Sequence, residues 1–174
     1  MIEGIKPSKR IYMTSVRTNK TESASPAKVL RRFRVVFNAV RTHFRQMEKQ
    51  VGLGGAQVWA LGLIRDNPGI GMGGVATHMD IHQSTASNLV KALVQKKLIK
   101  MEKAEIDKRN VELHILPAGM KILSQASGPF EGVLPVALGN LNEKTLGRLD
   151  KDLGELIRLL QADEAAEEIP LADI

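Results

Sequence analysis

Apolar residues recur at steps of three and four from residue 27 to residue 50, which predicts one long amphipathic helix. The apolar positions are Leu30, Phe33, Phe37, Val40, Phe44 and Met47. Ser25-Pro26 supplies a start signal, because proline is favoured at the first helical position. The sequence VGLGG at 51–55 ends the helix.

A second helix is predicted at 56–66, where Val58, Leu61 and Ile64 share one face and an Asn-Pro-Gly sequence follows. Two shorter helices, at 73–79 and 83–98, come next. Asp80 lies in the turn between them, and Asp tolerates the left-handed backbone that such turns often need.

After residue 98 the apolar period changes from helical to alternating. The runs 99–102 and 111–115 each alternate apolar and polar side chains, and the segment 103–110 between them is polar apart from Ile106. This pattern predicts a two-stranded hairpin with a charged tip.

Pro117 begins a further helix at 118–126, which Gly128-Pro129 and Gly132 interrupt or kink. The last helix is predicted from about Asn142 to Glu168. Its leucine seam, spaced 3, 4, 3 and 4, comprises Leu146, Leu149, Leu153, Leu156 and Leu160. Such a seam packs on another helix, and the spacing favours core packing and a subunit interface about equally.

The order helix, short helix, turn, helix and hairpin predicts a mainly α winged helix-turn-helix with a small β-hairpin wing. The helix at 83–98 has two distinct faces. Ala86, Leu89, Val90 and Leu93 point one way, whereas Ser84, Ser87, Asn88, Lys91 and Gln95 point the other. Short polar side chains with a lysine suit a DNA major groove, whereas a merely solvated face would more often carry Glu, Lys and Arg. We therefore interpret this segment as a recognition helix.

The hairpin that follows the recognition helix carries Lys103, Asp107, Lys108 and Arg109. A projecting arginine suits a narrow minor groove, where the negative potential is strongest. Asp107 is close enough in sequence to orient that guanidinium by a charge-assisted hydrogen bond. An ordinary charged hairpin is the alternative, and the position directly after the recognition helix favours the DNA-binding interpretation.

Charge is distributed unevenly, although the net charge is only +6. Residues 1–50 carry 12 basic and 3 acidic side chains, whereas residues 126–174 carry 4 and 10. A basic first part suggests a polyanion as partner, with a solvated basic helix as the alternative. The 3% aromatic content disfavours a surface that stacks exposed bases.

Several classes of function are disfavoured. The chain has no cysteine, which excludes disulfides and thiol chemistry and favours the cytoplasm, and no apolar run approaches a membrane span. No constellation of catalytic residues is evident, so we expect no enzyme, cofactor or metal. Gly69, Gly71 and Gly74 spell G-x-G-x-x-G, but a helix rather than a strand precedes them, so this is not a dinucleotide site.

The chain resembles the MarR (multiple antibiotic resistance regulator) family of bacterial transcription regulators. The resemblance rests on Val75-Ala76, the segment QSTASNLVKALVQKKLI, the tip Asp107-Lys108-Arg109 and Pro117-Ala118-Gly119. It implies a homodimer on a pseudo-palindromic DNA operator. Major-groove contacts would come from Ser84, Thr85, Ser87, Asn88 and Lys91, and Arg109 would enter the minor groove.

The resemblance also implies a small aromatic or anionic ligand, bound between the dimerisation region and the DNA-binding lobe. Side chains able to line such a cleft are Phe33, Phe37, His43, Met47 and Trp59, although core packing is the stronger interpretation for each. His82 stands where the family often has a capping Ser or Thr, so Asp80 with Gln83 is the expected cap instead. Contacts with DNA phosphate are expected from Gly74, His82 and Gln83.

The pattern divides the chain into a flexible basic arm at 1–26, dimerisation helices at 27–52 and 120–168, a DNA-binding lobe at 53–119 and a tail at 169–174. The predicted function is a DNA-binding transcription regulator, a homodimeric repressor that a ligand releases. A sequence-indifferent RNA, DNA or architectural binder and a helical protein-interaction adaptor are the alternatives.

Overall fold

The structure is a computed structural model that describes residues 24–103, 111–162 and 169–173. These residues form seven α-helices, one antiparallel hairpin and a short 3-10 helix. The first four helices are α1 (Pro26–Val51), α2 (Gly55–Asp66), α3 (Met72–Met79) and α4 (Gln83–Gln95). The hairpin pairs β1 (Ile99–Lys103) with β2 (Val111–Ile115). Then follow α5 (Pro117–Gln125), α6 (Val133–Gly139), α7 (Glu143–Leu160) and a 3-10 helix (Leu171–Asp173). The predicted fold class, mainly α with a β-hairpin wing, is confirmed.

The helix α2 lies at the centre of the hydrophobic core. Its residues Val58, Leu61 and Ile64 are fully buried, as the apolar spacing predicts. Around it pack α3, α4, α5 and β2, which contribute Val75, Val90, Leu93, Leu113 and Leu123. A helix buried on nearly all sides fixes the relative positions of the elements around it.

Local capping residues set the start of α1 and the end of α3. The side chain of Ser25 accepts a hydrogen bond from the backbone N–H of Lys28, and Pro26 occupies the first turn. Asp80 ends α3 in the left-handed conformation, with φ of 51°. Both features confirm predictions from the sequence.

Two predicted helix ends are wrong. The helix α4 ends at Gln95 rather than at residue 98, because Lys97 adopts a left-handed φ of 56° and Leu98 N–H bonds back to the Leu93 carbonyl. The helix α7 ends at Leu160 rather than near Glu168, because Gln161 adopts a left-handed φ of 51°. The remaining part of that prediction, 163–168, lies outside the described residues.

Apolar side chains on α1 and α7 remain accessible in the single chain. No residue of α7 is fully buried, and Leu160 in the leucine seam is 66% exposed. On α1, Leu30 and Phe37 are also exposed, whereas Val40 and Phe44 further along the helix are buried. Both helices therefore present an apolar stripe that the described residues leave accessible.

The segment 169–173 packs on the junction between α1 and α2. Pro170 is buried, and Ala172 lies so close to Gly55 that a Cβ there would meet it at 2.9 Å. The ring of Phe44 also lies against Gly55, where it would collide with a Cβ. The sequence pattern predicts only a tail for this segment.

Candidate nucleic-acid interface

The helices α3 and α4 form a helix-turn-helix, with Asp80, Ile81 and His82 between them. Ile81 is buried, and its N–H bonds to the Ala76 carbonyl at 3.1 Å. Small buried alanines, Ala76 on α3 and Ala86 on α4, allow the two helices to cross closely. This packing holds α4 firmly on the core by one face.

The two faces of α4 divide as the sequence predicts. Ala86, Leu89, Val90 and Leu93 are buried. Of the predicted major-groove residues, Ser84, Asn88 and Lys91 are exposed, whereas Thr85 and Ser87 are half-buried. The structure therefore brings short polar side chains together on one accessible helix face, with a lysine two turns from the N-terminus.

His82 is the N-cap of α4, which corrects the expected cap of Asp80 with Gln83. The backbone N–H of Ser84 donates to His82 Nδ1 at 3.2 Å, and Ser84 Oγ lies 2.7 Å from the same nitrogen. Asp80 instead ends α3, since its N–H bonds to carbonyls of that helix. A histidine is an uncommon cap, and sequence statistics on Ser, Thr, Asp and Asn do not point to it. Gln83, a predicted phosphate contact, is exposed beside it.

The N-terminus of α3 has no side-chain cap. Gly71 is the N-cap, in extended backbone. At Gly74 a Cβ would meet the Ile70 side chain at 2.7 Å, so close packing accounts for this glycine. A Cβ at Gly73, by contrast, would meet open space. Gly74 is half-buried, and its contact with DNA phosphate stays a prediction.

The wing begins and ends as predicted. Lys103 pairs with Val111 at the last described position of the antiparallel register, and its side chain is exposed. The predicted tip residues Asp107, Lys108 and Arg109 lie outside the described residues. The base of the wing is joined to the core by Leu113, whose N–H bonds to the Ile70 carbonyl.

One face of the hairpin carries four charged or titratable side chains. The Lys100 ammonium donates to Glu102 at 2.7 Å, and His114 Nε2 lies 3.5 Å from Glu112 and 3.9 Å from Glu102. Glu102 and Glu112 are directly opposite in the register, a like-charge pair beside which Lys100 supplies a positive charge.

The hydrogen bond from Lys100 lowers the pKa of the Glu102 carboxyl below its ordinary value. The ionised form is therefore favoured in the fold, and this contribution is lost as the pH falls through the lowered pKa. We expect Lys100→Met to raise the pKa of Glu102 towards its ordinary value, measured by NMR titration of the side-chain carboxyl. Lys121→Met, an exposed lysine on α5, is the control. An unchanged pKa in Lys100→Met would contradict the pairing.

The side chains predicted for a ligand cleft do not share one environment. Met47 is 1% exposed within the core, and Trp59 is half-buried against it. Phe33 and Phe37 stack with ring centroids 6.1 Å apart, but Phe37 is 62% exposed. Core packing therefore accounts for Met47 and not for Phe37.

His43, the remaining cleft candidate, contacts a loop that the apolar pattern does not place against α1. Its Nε2 lies 2.8 Å from the Pro129 carbonyl in the segment between α5 and α6. The next residue, Phe130, packs on Gly62 of α2, and the Arg65 guanidinium lies over the Phe130 ring at 5.5 Å. This loop therefore contacts both α1 and α2. A lone phenylalanine beside Gly128-Pro129 is the only signal for it in the sequence.

His78 and His82 are separated by the predicted turn. The ring of His78 bonds within its own helix, with Nδ1 2.8 Å from the Gly74 carbonyl. Within the described ranges, no group of three or more His, Asp or Glu is arranged to hold a metal ion. No helix there combines the length and apolar content that a membrane span requires.

A helix-turn-helix followed directly by an antiparallel hairpin defines a winged helix-turn-helix protein. Residues 51–110 match the model of the MarR family, which confirms the resemblance drawn from the sequence. No curated protein gives a significant match.

Solved structures show the same fold. S. aureus MepR in complex with DNA is 20% identical with a TM-score of 0.53, and the match covers 79% of this chain and 99% of that chain. A MepR-like protein complexed with pseudoligands is 13% identical with a TM-score of 0.53, covering 79% and 97%. The fold and the match of residues 51–110 to the MarR family model together support a DNA-binding transcription regulator as the class of this protein.

Proposed function

We propose that the protein is a homodimeric, sequence-specific regulator of transcription that binds a pseudo-palindromic operator in double-stranded DNA. The observation that carries the proposal is the exposed face of α4, where Ser84, Asn88 and Lys91 are accessible while Ala86 and Leu89 anchor the helix. Short hydrogen-bonding side chains on a rigid helix can approach base edges in the major groove. We place its action in the cytoplasm.

In this proposal, residues 53–119 form the DNA-binding lobe, and 27–52 with 120–168 form the dimerisation region. The exposed apolar stripes of α1 and α7 support it, because a second copy would cover them. The helix α1 carries seven basic side chains and one acidic side chain. Two copies of α1 would therefore repel each other, which disfavours pairing of α1 with α1. The helix α7 carries four acidic and four basic side chains, so we place α7 and its leucine seam at the centre of the dimer.

We further propose that the protein is a repressor released by a small aromatic or anionic molecule. The stacked rings of half-buried Phe33 and exposed Phe37, with Arg34 next to Phe33 in the sequence, suit a ligand with an aromatic ring and a carboxylate. The loop held by His43 ties α1 to α2, so a ligand on α1 has a physical route to the DNA-binding lobe.

Selection of binding sites from a random double-stranded DNA library tests the proposal. We expect a two-fold symmetric motif with half-sites about 10 bp apart, and an affinity that falls steeply with salt. Binding without sequence preference would instead support an architectural nucleic-acid binder. Absence of salt-dependent binding would support a protein-interaction adaptor.

We expect Asn88→Ala to relax base preference at one position in each half-site, at about 1–3 kcal/mol, because asparagine can pair with two edge atoms of adenine. The selected motif and the affinities for single-base variants measure this effect. Asn38→Ala, an exposed asparagine on the polar face of α1, is the matched control. An Asn88→Ala protein that selects the wild-type motif unchanged would contradict the role.

A further inference from the structure

His82 and Ser84 share a hydrogen bond at the N-terminus of the proposed recognition helix. The backbone N–H of Ser84 points at His82 Nδ1, 3.2 Å away. A backbone N–H can only donate, so Nδ1 must be the unprotonated, accepting nitrogen of the ring. The proton of the neutral imidazole therefore lies on Nε2.

The same nitrogen determines the direction of the Ser84 hydroxyl. Ser84 Oγ lies 2.7 Å from His82 Nδ1. Since Nδ1 carries no proton, the hydrogen between the two atoms must belong to the hydroxyl, which donates it to the ring. The outward side of Ser84 Oγ is thereby left with lone pairs only, and it can accept hydrogen bonds but not donate them.

We propose that His82 is a positioning residue that makes Ser84 a one-way acceptor in the major groove, selecting a base with an exocyclic amino group. Only adenine N6 and cytosine N4 donate there, whereas guanine O6 and N7 and thymine O4 accept. The inference rests on the proposed DNA-binding function of α4. Both side chains are exposed, so the hydroxyl lies on an accessible part of the helix surface.

A phosphate oxygen is also an acceptor, so the same polarity disfavours a contact from the Ser84 hydroxyl to the DNA backbone. A free serine hydroxyl rotates to suit either a donor or an acceptor and discriminates poorly among bases. By holding the hydroxyl hydrogen, His82 converts a permissive contact into a selective one. A Ser or Thr cap has no ring nitrogen with which to do so.

The tautomer of His82 is tested first, without DNA. Long-range proton–nitrogen NMR spectra of the full chain, at a pH where the ring is neutral, should place the His82 proton on Nε2. A Ser84→Ala variant should keep that tautomer, because the backbone N–H of residue 84 remains. A proton on Nδ1 in the wild-type protein would overturn the inference.

Site selection from random double-stranded DNA then tests the base preference. The wild-type protein should select adenine or cytosine at one position of each half-site, on the strand that faces Ser84, by about tenfold over guanine and thymine. Ser84→Ala should lose that preference alone. His82→Ala should accept guanine and thymine at the same position, because the hydroxyl is then free to donate.

Loss of the helix cap alone would weaken binding to all DNA sites alike. A change of base preference confined to one position therefore indicates a change in the hydrogen bonding of the Ser84 hydroxyl. His78→Ala, an exposed histidine on α3 whose ring bonds within its own helix, should leave the motif unchanged. Guanine or thymine at the Ser84 position, or an unchanged motif in His82→Ala, would overturn the inference while leaving the proposed function intact. A wild-type protein that selects no motif would overturn both.

Discussion

A Leu153→Glu variant is expected to be monomeric and to bind operator DNA at least about 100-fold more weakly than the wild-type protein. Leu153 lies in the middle of the leucine seam, which is accessible in the single chain and which we place at the dimer centre. A carboxylate buried there without a partner costs about 3–5 kcal/mol, and each 1.4 kcal/mol is a factor of ten. Half-buried Leu153 is outside the hydrophobic core, so each chain should still fold.

The matched control is Lys151→Glu, which adds the same carboxylate to an exposed residue on the opposite face of α7. Analytical ultracentrifugation gives the association state, and circular dichroism checks that both variants keep their helices. A Leu153→Glu protein that remains dimeric would contradict the proposed interface. Dissociation of Lys151→Glu as well would point to a general effect of charge.

Features with a local cause are well predicted by the sequence. The apolar period of α1, the start at Ser25-Pro26 and the left-handed Asp80 each depend on residues within a few positions. The division of α4 into buried and exposed faces likewise follows from the spacing of Ala86, Leu89 and Leu93. These elements are the ones that position the candidate interface.

Features that depend on particular backbone angles, ring orientations or long-range contacts are missed. The apolar pattern does not show that Gln161 turns left-handed, because Gln favours helices and the following residues do too. The docking of Phe130 on Gly62 depends on two segments 68 positions apart in sequence. The His82 cap depends on a ring orientation that residue type alone does not specify.

The three glycines of the G-x-G-x-x-G sequence have structural roles that can be read from their contacts. A Cβ at Gly74 would press on the Ile70 side chain, and Gly71 is the N-cap of α3. Gly69 adopts a positive φ of 84°, and its N–H bonds to the Leu113 carbonyl. These contacts join the entry of the helix-turn-helix to the wing, and helix α2 precedes them. Packing therefore accounts for the glycines, in agreement with the rejection of a dinucleotide site.

Gly119→Ala is expected to lower the free energy of unfolding by about 3 kcal/mol, although alanine is the better helix former. Gly119 lies in the first turn of α5, where a Cβ would collide with the Leu98 carbonyl and press on Ile115 at 2.9 Å. That carbonyl cannot move freely, because it accepts a hydrogen bond from the Leu116 N–H at 2.9 Å. Relief of the collision must therefore separate α5 from the strand that begins the wing.

Gly154→Ala on α7 makes the same chemical change with the opposite expected sign. A Cβ at Gly154 meets nothing within 4 Å, so the variant should gain up to about 1 kcal/mol from helix propensity. Urea denaturation of both variants at one protein concentration measures the difference, since the proposed dimerisation would make stability depend on concentration. Equal stability of Gly119→Ala and wild type would show that α5 shifts at no cost. The close approach of α5 to Leu98 would then not be what fixes the base of the wing.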